Sequence, residues 1–290
     1  MFLSSEIHKF LKVANKIAAG FSVFLNTFLI LLIVKKSPKE FGSYKVLLVY
    51  TAVFEILYSC LVGYLVPIHY SFGSTDIALV SILDKSLPRV FVRFLLSLFW
   101  GFFGATQSVY AVHFIYRYMT INKSALLESF DSWKIVFWLL IPIFTGAGWS
   151  LCGILWCGPR PEIVELSRRA ILKDFGEPIE NFEFLGGTMY DIGRNGTITP
   201  HYTFLIVAAF MSVTVSASFA TVIFCATKCY SNIRKVLGTA ASAQSVKSRS
   251  IQSQLFWALI CQILIPTVVL DIPITSFFIL NIFLIYNPLK

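Results

Sequence analysis

Charged residues are scarce in this sequence. Asp, Glu, Lys and Arg make up 13% of the residues, whereas an average soluble domain has about 25%. So little charge cannot cover a soluble surface, and the 57% of hydrophobic residues come in runs. The net charge of +9 lies mostly in short loops between these runs, which fits the membrane orientation rule better than a nucleic-acid footprint. We therefore expect a protein of the lipid bilayer and no nucleic-acid partner.

Catalytic and metal-binding motifs are lacking as well. The sequence has no HExxH, GxSxG, Walker loop, GxGxxG or CxxC. Its four His residues have no metal-ligand spacing with one another or with Cys. Most of the six Cys lie in or beside apolar runs, where a free thiol behaves as a small hydrophobe. The sequence thus predicts no catalytic residue, no metal site and no cofactor.

The sequence does contain apolar runs that are long enough to cross a bilayer, which takes about 20 residues. They predict an all-α membrane protein in which residues 1–290 form one domain with six clear spans. The sixth span passes through Pro266 and Pro273, which a membrane helix tolerates as kinks. Residues 279–290 reach only about 18 Å, against a hydrocarbon core of about 30 Å. A seventh span is therefore expected to be missing or truncated, unless the tail re-enters the protein. The predicted spans are residues 17–34, 46–66, 94–115, 135–156, 204–226 and 255–278.

The loop charges predict an orientation, because Lys and Arg in short loops favour the cytoplasm. The loops after spans 1, 3 and 5 share one side and carry twelve bases, against six in the N-terminal tail and the loop before span 3. We therefore expect an extracellular N-terminus, a basic intracellular loop at 227–254 and a long extracellular loop at 157–200. The glycosylation triplet at Asn195 would then be modified, whereas the one at Asn122 would not.

Polar residues inside the spans are candidates for function, because burying them in lipid is costly. Glu55 in span 2 could be functional, although a hydrogen bond between helices is the commoner role. Phe99, Phe103 and Gln107 share one face of span 3 by their i, i+4, i+8 spacing. With Asp271 from span 6, they could line a small-molecule pocket. Bundle packing for the stripe, and the lipid–water boundary for Asp271, are the alternatives.

Arg117 lies just beyond the predicted end of span 3 and is flanked by Tyr116 and Tyr118. A lone Arg at this place could serve only as a topology charge, and aromatic residues belong at a membrane interface in any case. With its two neighbours it could instead contact a cytoplasmic partner. The spacing leaves both interpretations open.

The segment Phe114-Ile115-Tyr116-Arg117-Tyr118 also resembles the signature that ends the third helix of nematode Str-type serpentine chemoreceptors, the family of the diacetyl odorant receptor. Several other short segments are similar to this family, in the same order, from about Ser22 to Pro273. They are Asn26-Thr27-Phe28-Leu29, Gly42-Ser43-Tyr44-Lys45, Phe54-Glu55-Ile56-Leu57, Gly101-Phe102-Phe103-Gly104 and Gln262-Ile263-Leu264-Ile265-Pro266.

The resemblance implies a rhodopsin-like helical bundle that binds a small odorant and activates a heterotrimeric G protein. It implies a place in the plasma membrane of a sensory cilium, with the N-terminus outside. Arg117 would be the switch arginine, with Tyr116 in place of the usual acid before it. Arg234 and Lys235, in the acid-free loop after span 5, would assist in coupling to the G protein.

Two departures from the family accompany the resemblance. Residues 67–93 contain no Cys, so the usual disulfide from the top of the third helix to the second outer loop cannot form, and Cys157 lacks that partner. The seventh helix of the family is not recoverable. A non-signalling, truncated receptor-like protein is therefore an alternative. A transporter or channel fits less well, because paired charges inside the membrane and internal repeats are lacking.

Overall fold

The apolar runs form helices for a reason common to membrane spans. A bilayer offers the backbone no hydrogen-bond partner, and a helix satisfies its own N–H and C=O groups. The computed structural model describes residues 5–37, 41–193, 197–237 and 243–268, together with the single positions 272, 276 and 280. Within this part of the chain, five helices are long and apolar enough to cross a membrane. They are α1 (Ser5–Lys36), α2 (Tyr44–Leu65), α3 (Arg89–Ile121), α4 (Ile135–Trp156) and α6 (Tyr202–Leu237), and a shorter α5 (Pro161–Phe175) precedes α6.

A seventh helix, α7 (Ala243–Pro266), packs with Phe256 and Leu259 in the same apolar cluster as Phe114 of α3. Its apolar part, Ser253–Leu264, is shorter than a full span. Most of the predicted sixth span beyond α7, and the place expected for a seventh, lie outside the described residues. The predicted loop at 227–254 is helical up to the end of α6 and again from the start of α7. Hydropathy detects only the length of a helix that lies in lipid, so the polar ends of these helices were missed.

The helix α3 packs against α2, α4 and α6. Its approach to α4 depends on glycine. A Cβ atom on Gly146 would lie 2.8 Å from the carbonyl oxygen of Gly101, and one on Gly104 would lie 2.5 Å from the Trp149 ring. Small residues allow such close packing in membranes, where van der Waals contact is a main attraction between helices. The helical membrane bundle expected from the sequence is confirmed.

A three-stranded antiparallel sheet, with strand order β1-β2-β3, lies at one end of the bundle. The strands are β1 (Ile68–Phe72), β2 (Thr75–Ser81) and β3 (Phe182–Thr188). Phe72 pairs with Thr75, so β1 and β2 are joined by a two-residue turn, and Gly73 in this turn has a φ of 53°. Such tight hairpin turns need a positive φ, which glycine adopts without strain. We call this end of the bundle the sheet end and the opposite end, where α3 finishes after Arg117, the arginine end.

The two faces of the sheet pack against different parts of the protein, because side chains alternate along a strand. Ala78, Val80 and Leu185 face the bundle and share a cluster with Leu96 and Phe99 of α3. On the opposite face, side chains of β2 and β3 pack against α5, in a cluster of Ile77, Leu79, Ile171, Ile179, Phe182 and Phe184. The sheet is therefore a layer between the bundle and α5.

The description of the fold as all-α omits this sheet, and the segments taken as loops are folded. Residues 157–200 contain α5, β3 and a small hairpin of β4 (Tyr190–Ile192) and β5 (Ile198–Pro200). The sheet was missed because β2 and β3 are far apart in the chain. Their pairing becomes favourable only when the helices bring both segments to the same end of the bundle.

Candidate functional site

Arg117 is buried at the arginine end of α3, and only 1% of its surface is exposed. The centre of its guanidinium group lies 3.9 Å from the centroid of the Tyr44 ring, at the start of α2. A cation over an aromatic face is attracted to it, and more strongly when water is excluded. The Tyr44 ring also stacks on that of Tyr116, with 5.0 Å between their centroids. Tyr44 thus holds the arginine against the bundle.

A hydrogen-bond chain orients the Tyr44 ring. The Thr51 hydroxyl donates to the carbonyl oxygen of Leu47 at 2.9 Å, so it accepts from Nε2 of His113, 2.8 Å away. The other ring nitrogen, Nδ1, then accepts from the Tyr44 hydroxyl at 3.2 Å. This network assigns the proton of the imidazole to Nε2. His113 lies one helical turn before Arg117, so one face of α3 contacts both the hydroxyl and the ring of Tyr44.

The predicted coupling residues have different environments. Arg117 and Tyr116 are buried, and the Tyr116 ring also contacts Phe130 edge-on, with 5.0 Å between the centroids. Tyr118 is half-buried, and its ring centroid lies 5.9 Å from that of Phe224 in α6. Arg117 is therefore inaccessible to a partner in this conformation of the protein, in which the Tyr44 ring lies over its guanidinium group.

In the predicted ligand stripe on α3, Phe99 and Gln107 are buried and Phe103 is half-buried, and the three contact different neighbours. The Phe99 ring lies 5.9 Å from both the Tyr58 ring of α2 and the His69 ring of β1, measured between centroids. Phe103 contacts Trp149 of α4 at 5.6 Å, and Gln107 is buried within the bundle. Because α3 packs against α2, α4 and α6, residues along one of its faces contact different helices.

Four of the predicted site residues cannot be placed as side chains. Asp271 and Asn195 lie outside the described residues. Arg234 and Lys235 lie in the last turn of α6, but the structure describes only their backbone.

An ion pair fixes the sheet to α3. Nε of Arg93 lies 2.6 Å from Oε1 of Glu183, and the Glu183 side chain is only 2% exposed. Cys157, at the end of α4, is a free thiol, and burial raises its pKa to about 12. Its carbonyl oxygen accepts a hydrogen bond of 2.8 Å from the backbone N–H of Gly186 in β3. The Arg93–Glu183 pair thus joins the two segments that the family disulfide would join.

An open cleft of about 630 Å³ lies at the sheet end between α5 and the beginning of α6. Its lining includes Trp156, Arg160 and Phe204, together with Asp191 and His201. The last two form an exposed pair, with 2.9 Å between carboxylate oxygen and ring nitrogen. None of the predicted ligand residues Phe99, Phe103 and Gln107 lines this cleft. Among the described residues, no three His, Cys, Asp or Glu side chains converge as a metal site would require.

Most of the sequence matches a receptor family. The family described as "serpentine type 7TM GPCR chemoreceptor Str" covers residues 11–289. The chain belongs to this family. The "G-protein coupled receptor str-217" of Caenorhabditis elegans is 30% identical over 285 residues, which is 96% of this chain and 80% of that protein. The resemblance found at the end of α3 is thereby confirmed.

More distant relatives agree with this assignment to the Str family. The "G-protein coupled receptor str-33" of C. elegans is 26% identical over 253 residues, or 86% of this chain and 72% of that protein. The "Serpentine receptor class r-10" of Caenorhabditis briggsae is 27% identical over 270 residues, or 91% and 76%. This Str-family chain is therefore a multi-pass membrane protein of a chemoreceptor family, and the family is one of receptors, not of enzymes.

The sequence analysis missed Tyr44 and His113 as partners of Arg117. Both lie in or next to segments that resemble the Str family. Tyr44 belongs to Gly42-Ser43-Tyr44-Lys45, and His113 directly precedes the segment that begins at Phe114. The spacing of His113 and Arg117 could have indicated a shared helix face. No local signal links either residue to Tyr44, because only the packing of α2 against α3 brings them together.

Proposed function

We propose that this Str-family chain is a chemosensory receptor that binds a small odorant at the sheet end and activates a heterotrimeric G protein at the arginine end. The observation that carries this proposal is the burial of Arg117 beneath the Tyr44 ring, at the end of the central helix. The sheet end and the N-terminus are extracellular in this proposal, in the plasma membrane of a sensory cilium. The excess of Lys and Arg in loops on the opposite side supports that orientation.

The arginine end is the coupling site in this proposal. The Tyr44 ring lies over the buried guanidinium group of Arg117, so a displacement of Tyr44 would expose that group. When α2 and α3 shift relative to each other, Arg117 becomes available to the G protein, together with Tyr116 and Tyr118. Arg234 and Lys235, in the last turn of α6, add positive charge at the same end. Tyr44 is the residue of α2 that has to move in this proposal.

The ligand site lies at the sheet end, on α3. Phe99 and Phe103 supply aromatic walls, Gln107 supplies a polar group, and Asp271 is proposed as a further contact. Mostly apolar sites with a few polar groups suit small organic molecules. Since Phe99 contacts α2 and the sheet while Phe103 contacts α4, a ligand between them would influence the packing of α3 on both sides.

The experiment is an Arg117→Ala variant, expressed at the cell surface and assayed for nucleotide exchange on a G protein in response to a panel of volatile odorants. We expect the response to be lost while surface abundance stays within twofold of wild type. Arg168→Ala is the matched control, because it removes an exposed base at the sheet end. If Arg117→Ala responds normally, the arginine is only a topology charge. Odorant-gated current without nucleotide exchange would indicate a channel.

A further inference from the structure

Three polar side chains lie on the bundle-facing side of the sheet. His69 pairs with Ala78, and Ser71 pairs with Asp76. Paired residues of antiparallel strands lie on the same face, and Ala78 belongs to the cluster with Phe99 of α3. His69, Ser71 and Asp76 therefore face the bundle, whereas their sequence neighbours face α5.

The three side chains form one group. The Ser71 hydroxyl donates to Oδ1 of Asp76 at 2.5 Å. His69 lies diagonally across the two strands from Asp76, a spacing that long side chains can bridge. Opposite Asp76 on β3 is Gly187, where a Cβ atom would lie 2.5 Å from the Phe204 ring of α6. The carboxylate therefore has a hydroxyl on one side and the beginning of α6 on the other.

The His69 imidazole lies beside the Phe99 ring of α3. Surrounding protein atoms lower its pKa, although the nearby Asp76 charge opposes this effect. Yet the side chain remains exposed. The lowered pKa keeps the imidazole neutral at pH 7, so one ring nitrogen is a hydrogen-bond acceptor.

An aromatic wall continues from His69 towards the bundle. The Phe99 ring contacts both His69 and Tyr58. Tyr58 in turn stacks on Phe102 of α3, with 5.5 Å between centroids and 2° between the ring planes. Glu55 lies one helical turn from Tyr58 on α2 and shares its side of the helix. The faces of such rings attract cations.

Several bases at this end are engaged by other acids. Arg93 is paired with Glu183. Lys12 and Lys85 both lie close to Asp84, with nitrogen–oxygen distances of 2.5 Å and 3.7 Å. These three bases therefore contact other acids, whereas Asp76 accepts from Ser71 and lies diagonally across from the His69 imidazole. Burial raises the pKa of the Asp76 carboxyl, and the Ser71 hydrogen bond and the nearby His69 oppose this shift.

We propose that His69 and Asp76, with Tyr58 and Phe99 beside them, bind the head group of a small protonated amine that has an apolar tail. This rests on the proposed receptor function and specifies the class of ligand. The ammonium group donates to the Asp76 carboxylate and to the free ring nitrogen of His69, while the tail lies along Phe102. An alcohol of the same length makes no charge-assisted bond, and a carboxylate is repelled by Asp76.

The experiment measures binding to the purified full-length chain in detergent, without a G protein. Three probes of equal length, hexylamine, hexan-1-ol and hexanoate, are titrated at pH 7 while the thermal unfolding midpoint is recorded, because a ligand of the folded state raises it. We expect hexylamine alone to raise the midpoint. Asp76→Asn should weaken its apparent affinity by about 10- to 100-fold, the effect of one charge-assisted hydrogen bond. His69→Phe should weaken it by a smaller factor.

The matched control is Asp84→Asn, which removes the same charge from the segment that follows β2, outside the proposed site, and should bind hexylamine as wild type does. Equal effects of hexan-1-ol or hexanoate, or no effect of hexylamine, would overturn the proposal even if Asp76→Asn failed to fold. Hexylamine affinity unchanged by Asp76→Asn would overturn it as well. A receptor that shows none of these amine effects, but activates a G protein with another odorant, keeps its proposed function and loses only this ligand class.

Discussion

Replacing Tyr44 by Leu tests whether this ring holds Arg117 in the resting receptor. Leu retains an apolar contact with the cluster around Tyr44, which includes Leu47, Val112 and Met119. It removes the ring face that lies 3.9 Å from the guanidinium carbon, and it removes the hydroxyl that donates to His113. The change therefore releases Arg117 from α2 without adding a polar group to the core.

The expected effect follows from the environment of the pair. A desolvated cation–π contact contributes about 2 kcal/mol, and Arg117 is almost fully buried. If the contact exists only in the resting state, its loss raises the ratio of released to held receptor by about 30-fold. Nucleotide exchange on the G protein in the absence of odorant should rise accordingly, up to the maximum that the receptor can reach.

The assay is odorant-free nucleotide exchange, normalised to the amount of receptor at the cell surface. Tyr44→Phe keeps the ring and loses only one hydrogen bond, worth about 1 kcal/mol, so its basal activity should rise by a few-fold at most. Tyr50→Leu is the matched control, because Tyr50 lies on the same helix as Tyr44 and its hydroxyl donates to the carbonyl oxygen of Leu139 in α4 at 3.3 Å. Basal activity of Tyr44→Leu equal to wild type, in a receptor that Arg117→Ala silences, would show that Tyr44 does not hold the arginine.

Two further predictions concern the sheet end. Glu183→Gln should lower the free energy of unfolding by about 1 to 3 kcal/mol, because it leaves Arg93 without its acidic partner. Arg93 is 36% exposed, so water offsets part of the loss. Denaturation in detergent measures the change. Glu180→Gln, which removes an exposed acid, should change little, and equal effects of the two would refute a special role of the buried pair. Asn195→Gln should abolish a mobility shift on N-glycosidase treatment while Asn122→Gln leaves it intact, since the loop charges predict that the two triplets lie on opposite sides of the membrane. A shift that depends on Asn122 would invert the proposed orientation.

Much of the bundle and part of the proposed coupling site could be predicted from short segments of the sequence. In lipid, the backbone N–H and C=O groups of each apolar run must form hydrogen bonds within the run, which a helix allows. Each run therefore becomes a helix independently of the others. The segment around Arg117 indicated the family, and that assignment is confirmed. For Phe99, Phe103 and Gln107, the spacing predicted a shared face of α3. It could not predict that Phe99 contacts α2 and the sheet while Phe103 contacts α4.

The sequence by itself determined that this chain is a membrane bundle of the Str family, because that depends on local hydropathy and short segments. Only the tertiary structure decided which distant residues meet. Thr75 and Thr188 bond across β2 and β3 from 113 positions apart, and Tyr44 reaches His113 from 69 positions away. Such pairs have no signal in either segment alone, since their contact must offset the entropy of closing the chain between them. The packing of the helices brings these distant segments together. The sheet, the Arg93–Glu183 pair and the contact of Tyr44 with Arg117 therefore follow from packing.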